Sequence, residues 1–278
     1  MPVSGTGRWR LGYDPSDTRF REPETKRSAG KRSERFWEVD AARGVAILMM
    51  AVYHTMYDLD TFGGYGIPST SGFWRFFADA TAFSFLFLVG VSLAISHARA
   101  RARKPEGSLF GKHLIRGLFV FGWGMVLTVV SLVLGMGVIA FGILHLIGAS
   151  IILAYPFLNL RIPNLLIGLA VAAAGIYVQS LHLVSESPWL LPFGIIPEGW
   201  MMPDYRPLLP WFGVVLIGLF AGNAVYGSGR SPLGSSRGPW VAQPLQFLGR
   251  WSLVFYLVHQ PIIVATLSAL GIIRLGGI

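Results

Sequence analysis

The stretch Phe36 to Asp60, FWEVDAARGVAILMMAVYHTMYDLD, decides how the rest of the chain is read. It leads from a polar, basic tail into the first long apolar run, with an Arg-Gly pair near its start and a His-x-x-x-Asp pair near its end. An ionisable side chain inside a membrane segment costs about 2.5 kcal/mol or more on insertion scales, so such a residue points to function. His54 and Asp58 are four apart, which on a helix puts them on one face within mutual reach. A neutral imidazole oriented by a carboxylate is the usual arrangement of a general base.

Working outward, the composition supports a membrane reading. The chain of 278 residues is 53% hydrophobic and only 13% charged, with a mean hydropathy of +0.55. An average soluble domain carries about a quarter charged residues. The net charge of +9 does not indicate a nucleic-acid partner, because the basic residues sit mainly in the tail and in short loops between apolar runs. With no cysteine there is no disulfide, thiolate nucleophile or Cys-ligated zinc. Residues 1–36 read as a basic, disordered cytoplasmic tail without the apolar core of a signal peptide. Its bland use is to fix topology; contact with anionic lipid is the specific alternative.

The expected fold is an all-α integral membrane protein, a bundle of about seven helices over residues 37–278 in a cell (plasma) membrane. A helix needs about 20 residues to cross a ~30 Å hydrocarbon core. Runs of that kind are expected at 41–60, 75–97, 114–134, 138–158, 164–184, 207–226 and 247–270. The stretch 185–205 carries Pro188, Pro192, Pro197 and Pro203 and reads as an outer loop or re-entrant lid. With the N-terminus inside, 19 Lys and Arg fall on inner segments and three, Arg75, Arg206 and Arg274, on outer ones. That bias predicts N-inside, C-outside.

This orientation gathers the ionisable residues. At ~1.5 Å per residue, His54 and His259 lie about 20 and 18 Å from the inner ends of their helices, and His145 about 12 Å from the outer end of its own. Asp79 is close above them. The sequence predicts a shared interior cavity lined by Asp79, His145, Asp204, Tyr256, His259 and Gln260, with His54 and Asp58 as the catalytic pair. The competing use of each histidine is as hydrogen-bonding glue between helices. Asp79 could instead pin its helix through Thr81 or Ser84. His97, His113 and His182 lie at helix ends and read as interfacial residues without a role. Arg43 reads either as a snorkelling arginine or as a phosphate clamp at the inner mouth, assisted by Arg99, Arg101, Arg103, Lys104 and Arg250. Gly90 and Ser92, and Gly142 and Gly148, read as small-residue helix contacts.

Four segments carry a resemblance: VDAARG (Val39 to Gly44) followed by His54 and Asp58, FGILHLIG (Phe141 to Gly148), DYRPLLPWFG (Asp204 to Gly213) and LGRWSLVFYLVHQP (Leu248 to Pro261). Together they resemble the heparan-alpha-glucosaminide N-acetyltransferase-like family, as a small prokaryotic member, over nearly the whole chain after residue 36. The resemblance implies a multi-pass acyltransferase that takes an acetyl group from cytosolic acetyl-CoA, without a metal, and passes it to an amine or hydroxyl of a sugar or glycoconjugate outside. Lysosomal members use a histidine in the first outward loop; Asp60 to Trp74 contains none, so His54 would stand in for it. A more distant likeness is to the acyltransferase-three family, in which Arg43 and His54 match an arginine and a histidine of the first helix.

The expected partners are the lipid bilayer, a small-molecule or glycan acceptor and further copies of the same chain in a homo-oligomer. Two other readings of the residues stay open. One is a proton-coupled transporter or channel with the His and Asp residues as a relay, although no internal repeat is visible. The other is a haem held by two histidines at matching depth.

Overall fold

The computed structural model describes residues 1, 35–133, 138–200, 202, 204–234 and 238–274. Residues 2–34, which hold most of the expected basic tail, and residues 134–137 lie outside the described residues. Eight α-helices follow one another among the described residues: α1 (Trp37–Thr61), α2 (Gly72–Arg103), α3 (Phe110–Val133), α4 (Ile143–Leu153), α5 (Ile162–Ser180), α6 (Leu208–Tyr226), α7 (Gln243–Arg250) and α8 (Ser252–Ala269). Five of them, α2, α3, α5, α6 and α8, are long and apolar enough to cross a membrane. α1 has 25 residues, ample length, but its ionisable side chains dilute its apolar content.

Two expected spans differ from the observed elements. The run 138–158 is α4, only 11 residues, followed by a short 3₁₀ turn at Tyr155–Phe157 that begins around Pro156. At ~1.5 Å per residue α4 is about 16 Å long, roughly half a hydrocarbon core. The run 247–270 is two helices, because Trp251 (φ −102°, ψ 21°) breaks the path between α7 and α8. The proline-rich stretch holds no α-helix among its described residues. Val184–Ser185 (β1) pairs in parallel with Ile196–Pro197 (β2), with a 3₁₀ turn at Pro188–Phe193 between them.

The core sits where α2, α4 and α6 meet: Leu86 and Leu93, Leu146 and Ile151, Val215, Leu216 and Leu219 are all fully or nearly buried. α3 and α5 lie outside this centre, and only 17% of the apolar window of each is buried. Their exposed Ile, Leu and Phe side chains suit hydrocarbon, where burial against protein has no hydrophobic advantage over lipid.

Small residues bring the backbones together. A Cβ on Gly148 would stand 2.6 Å from the Phe121 nitrogen and 2.7 Å from the Gly117 carbonyl oxygen, which closes α3 on α4. A Cβ on Gly168 would stand 2.8 Å from the Gly213 oxygen, which closes α5 on α6. Gly90 of α2 has no room for a Cβ against the α6 backbone at Val215. The small-residue reading of Gly90 and Gly148 therefore holds. Gly142 does not join it; it sits beside Asp204 instead. Ser92 has a polar task described below.

Candidate active site

The C-terminal half of α1 carries His54 and Asp58 to α8, where they meet His259 and Gln260. The His54 and His259 rings lie edge to face with centres 4.8 Å apart. His259 Nδ1–H donates to the Tyr256 carbonyl at 2.6 Å, since a carbonyl can only accept. Its Nε2 is therefore the bare acceptor nitrogen, and that atom is buried without a partner. Pro261, two residues on, has no N–H and so withholds one bond from the preceding helical turn.

Asp58 does not hold His54, contrary to what the four-residue spacing predicts. Its Oδ1 accepts a 2.7 Å bond from Gln260 Nε2, and Asp58 is wholly buried. Among the described residues neither nitrogen of His54 makes a hydrogen bond. The reason is steric reach: a short aspartate in a helix points toward the facing helix, and Gln260 is long enough to meet it.

A second carboxylate, partly buried, supports the same part of α8. Asp204 occupies the left-handed region (φ 55°), which aspartate tolerates better than most residues. Its Oδ2 accepts from the Tyr256 hydroxyl at 2.9 Å and from the Ile143 N–H at the start of α4 at 3.3 Å. Burial pushes the Asp204 carboxyl above the usual carboxylate range. A bridge between Gly142 and Tyr205, and the Arg206 N–H on the Phe141 carbonyl at 3.0 Å, hold this turn against α4.

The other expected cavity residues are not gathered there. His145 is 1% exposed; its Nδ1 accepts the Gly142 N–H at 3.2 Å, and its ring packs on Phe121 and Phe141. That geometry satisfies an orphan donor at the start of α4, a structural task. Asp79 pairs near the start of α2 with Arg75 (3.4 Å) and Arg206 (3.3 Å), and Arg206 also lies over the Trp211 ring. Arg206 was not expected in any contact; its place beside Asp204 in DYRPLLPWFG was the available signal.

At the other end of α1 the basic residues divide. Asp40, 4% exposed, receives Arg43 at 2.9 Å, Arg250 at 3.5 Å and Arg35 at 4.0 Å. Three guanidiniums around one carboxylate leave a net positive cluster. Arg43 also donates to the hydroxyl of Ser92 on α2. Arg99 lies over the Phe36 ring at 4.8 Å, next to this cluster. Arg101 instead closes its own loop by bonding the Pro105 and Gly107 carbonyls, and Arg103 and Lys104 are exposed at the end of α2.

Two histidines expected at the interface are buried. α2 runs to Arg103, so His97 lies about one and a half turns inside its end, 5% exposed, with Nε2 on Asn159 Oδ1 at 3.1 Å. His113, 2% exposed, packs its ring 5.6 Å from that of His97 and 5.7 Å from Tyr155. His182 is exposed as expected.

No curated protein and no solved structure matches the chain. A sequence profile of the heparan-alpha-glucosaminide N-acetyltransferase catalytic domain matches residues 35–261, which spans α1 through Pro261 and takes in every residue of the His54–Asp58–His259–Gln260 cluster and the Asp40 arginines. The chain therefore belongs to the heparan-alpha-glucosaminide N-acetyltransferase family of membrane acetyltransferases.

Proposed function

We propose that this membrane protein carries an acetyl group from cytosolic acetyl-CoA to an amine or hydroxyl of a sugar or glycoconjugate at the outer face, with its N-terminus inside and seven membrane passes. One observation carries the reading: α1 holds a polar centre at each end, the Asp40 arginines at one and the His54–His259 contact at the other. The two ends divide the work. Arg43, Arg250 and Arg99 form the net positive mouth and receive the phosphates of the donor. Arg101, Arg103 and Lys104 add to the field from the neighbouring loop. His54 stands where acyl and acceptor meet.

In the reaction His54 takes the proton of the acceptor N–H or O–H. The acceptor atom forms its bond to the acetyl carbon as the carbon–sulfur bond breaks, and the proton passes to the leaving thiolate. A positioned base contributes about 10²- to 10⁴-fold, and holding both substrates together contributes more. Asp58 acts one step back, through its bond to Gln260 on α8.

The test is transfer of labelled acetyl from acetyl-CoA by the purified protein in proteoliposomes, offered glucosamine-type acceptors on the outer side. Label in the acceptor with wild type and none with His54→Ala is the expected result. Proton-driven solute flux without any acyl transfer would replace the reading with that of a transporter.

A further inference from the structure

We infer that His259 is the positioning partner of His54: its bare Nε2 accepts the N–H of the His54 ring, so that the other His54 nitrogen presents a lone pair to the acceptor. The kinetic half of this inference rests on the acetyl-transfer reading above; the tautomer it assigns does not.

The first ground is the fixed tautomer of His259. Donation from Nδ1 to the Tyr256 carbonyl leaves Nε2 able only to accept. That atom is buried and has no partner, and a buried acceptor left unpaired is destabilising. The adjacent ring able to supply a donor is His54, 4.8 Å away centre to centre and inclined at 64°. Two imidazoles joined by one N–H···N bond of ordinary length have ring centres about 5 Å apart, so a small rotation of His54 completes the bond. Both residues are partly accessible, but the Nε2 of His259 is itself buried, which sets His259 behind His54 and leaves His54 to face the substrate.

The second ground is how firmly His259 is held. The residues around it on α8 are tied to other elements by two carboxylates, Asp58 wholly buried and Asp204 partly so. Tyr256, whose carbonyl sets the tautomer, gives its hydroxyl to Asp204. Gln260, the next residue, gives its amide to Asp58. Neither carboxylate touches His54. Both instead fix the segment of α8 that holds His259, the pattern of a base oriented by a second group that is itself locked in place.

The proton path balances. His54 gains the acceptor's proton on its substrate-facing nitrogen while keeping its other N–H on His259 Nε2. It returns the gained proton to the thiolate sulfur, and both rings end as they began. His259 changes no bond in the cycle; it holds the His54 tautomer and shares the charge of the transient imidazolium.

The experiment uses the full chain in detergent micelles with ¹⁵N-labelled histidine, read by NMR, together with steady-state acetyl transfer. In the wild type His54 should show one neutral tautomer, and His259 should carry its proton on Nδ1. In His259→Leu the His54 tautomers should mix, and kcat should fall about 10²- to 10⁴-fold with KM for acetyl-CoA unchanged. His259→Gln, whose side-chain oxygen can accept the same N–H, should restore part of the rate and the single tautomer. A His54 tautomer indifferent to His259→Leu would overturn the inference, as would a His259 proton on Nε2 or an unchanged kcat. If His259→Leu does not fold, His259→Gln with the wild-type tautomer measurement decides it. A wild type with the expected tautomers and no acetyl transfer would refute the proposed function and leave the histidine pair standing.

Discussion

The Asp58 carboxylate on α1 accepts a 2.7 Å hydrogen bond from the Gln260 amide on α8, joining residues 202 positions apart at the level of the paired histidines. A buried carboxylate with a single partner is a vulnerable contact, because removing that partner leaves an uncompensated polar group. Gln260→Leu should therefore lower stability by about 1–3 kcal/mol, the cost of one buried acceptor left unpaired. A thermal melt of the solubilised protein would read the loss, and an unchanged midpoint would refute the role given to this bond.

Asp58→Asn distinguishes positioning from charge. Asparagine keeps an oxygen that can accept from Gln260 but gives up the negative charge. If Asp58 acts through Gln260, this variant should retain acetyl transfer within a few-fold of wild type, whereas Asp58→Ala should lose most of it. Equal loss in both variants, measured as kcat, would show that the charge itself is what the site uses.

His54→Ala should abolish transfer while the protein still folds and still binds acetyl-CoA, since the Asp40 cluster lies at the other end of α1. The readouts are labelled acetyl transfer and equilibrium binding of the donor. His145→Ala should behave in the opposite way, with a lower melting temperature from the lost contact at the start of α4 and from the cavity against Phe121 and Phe141, and with a smaller effect on turnover.

Donor binding should depend on salt and on Arg43. Exposed charge pairs are screened over ~8 Å at physiological ionic strength, so the affinity for acetyl-CoA should fall as salt rises. Arg43→Ala should weaken it further by removing one of the guanidiniums on Asp40 and the bond to Ser92. Arg206→Ala, at the far end beside Asp79, should leave donor affinity unchanged. Isothermal titration of the three proteins at two salt concentrations checks all of these outcomes.

The seam between α3 and α4 offers a test of the packing. Gly148→Val places side-chain atoms where a Cβ alone would stand 2.6 Å from the Phe121 nitrogen, so the helices must part. Overpacking of this kind costs about 1–3 kcal/mol. The melting temperature should fall, whereas Gly122→Ala, with open space around its Cβ position in the interior of α3, should not lower it.

Much of the architecture was determined by the sequence itself, because a bilayer imposes a length and a polarity on any segment that crosses it. The runs that become α2, α3, α5, α6 and α8 are visible as apolar stretches, since a backbone in hydrocarbon must satisfy its own polar groups and does so as a helix. Prolines between residues 185 and 205 exclude a helix there for a local reason, the missing N–H and the ring clash. Isolated ionisable residues in apolar runs stand out for the same energetic reason, which is how His54, Asp58 and His259 could be picked from sequence. Their partners could not. The spacing of His54 and Asp58 puts both on one face of α1, but periodicity is silent on the facing helix, and tertiary packing gave Asp58 to Gln260 and His54 to His259. The shortness of α4, the break at Trp251 and the burial of His97 and His113 were likewise decided by packing, because each depends on which surface a neighbouring segment covers and hydropathy averaged along the chain carries no record of that contact.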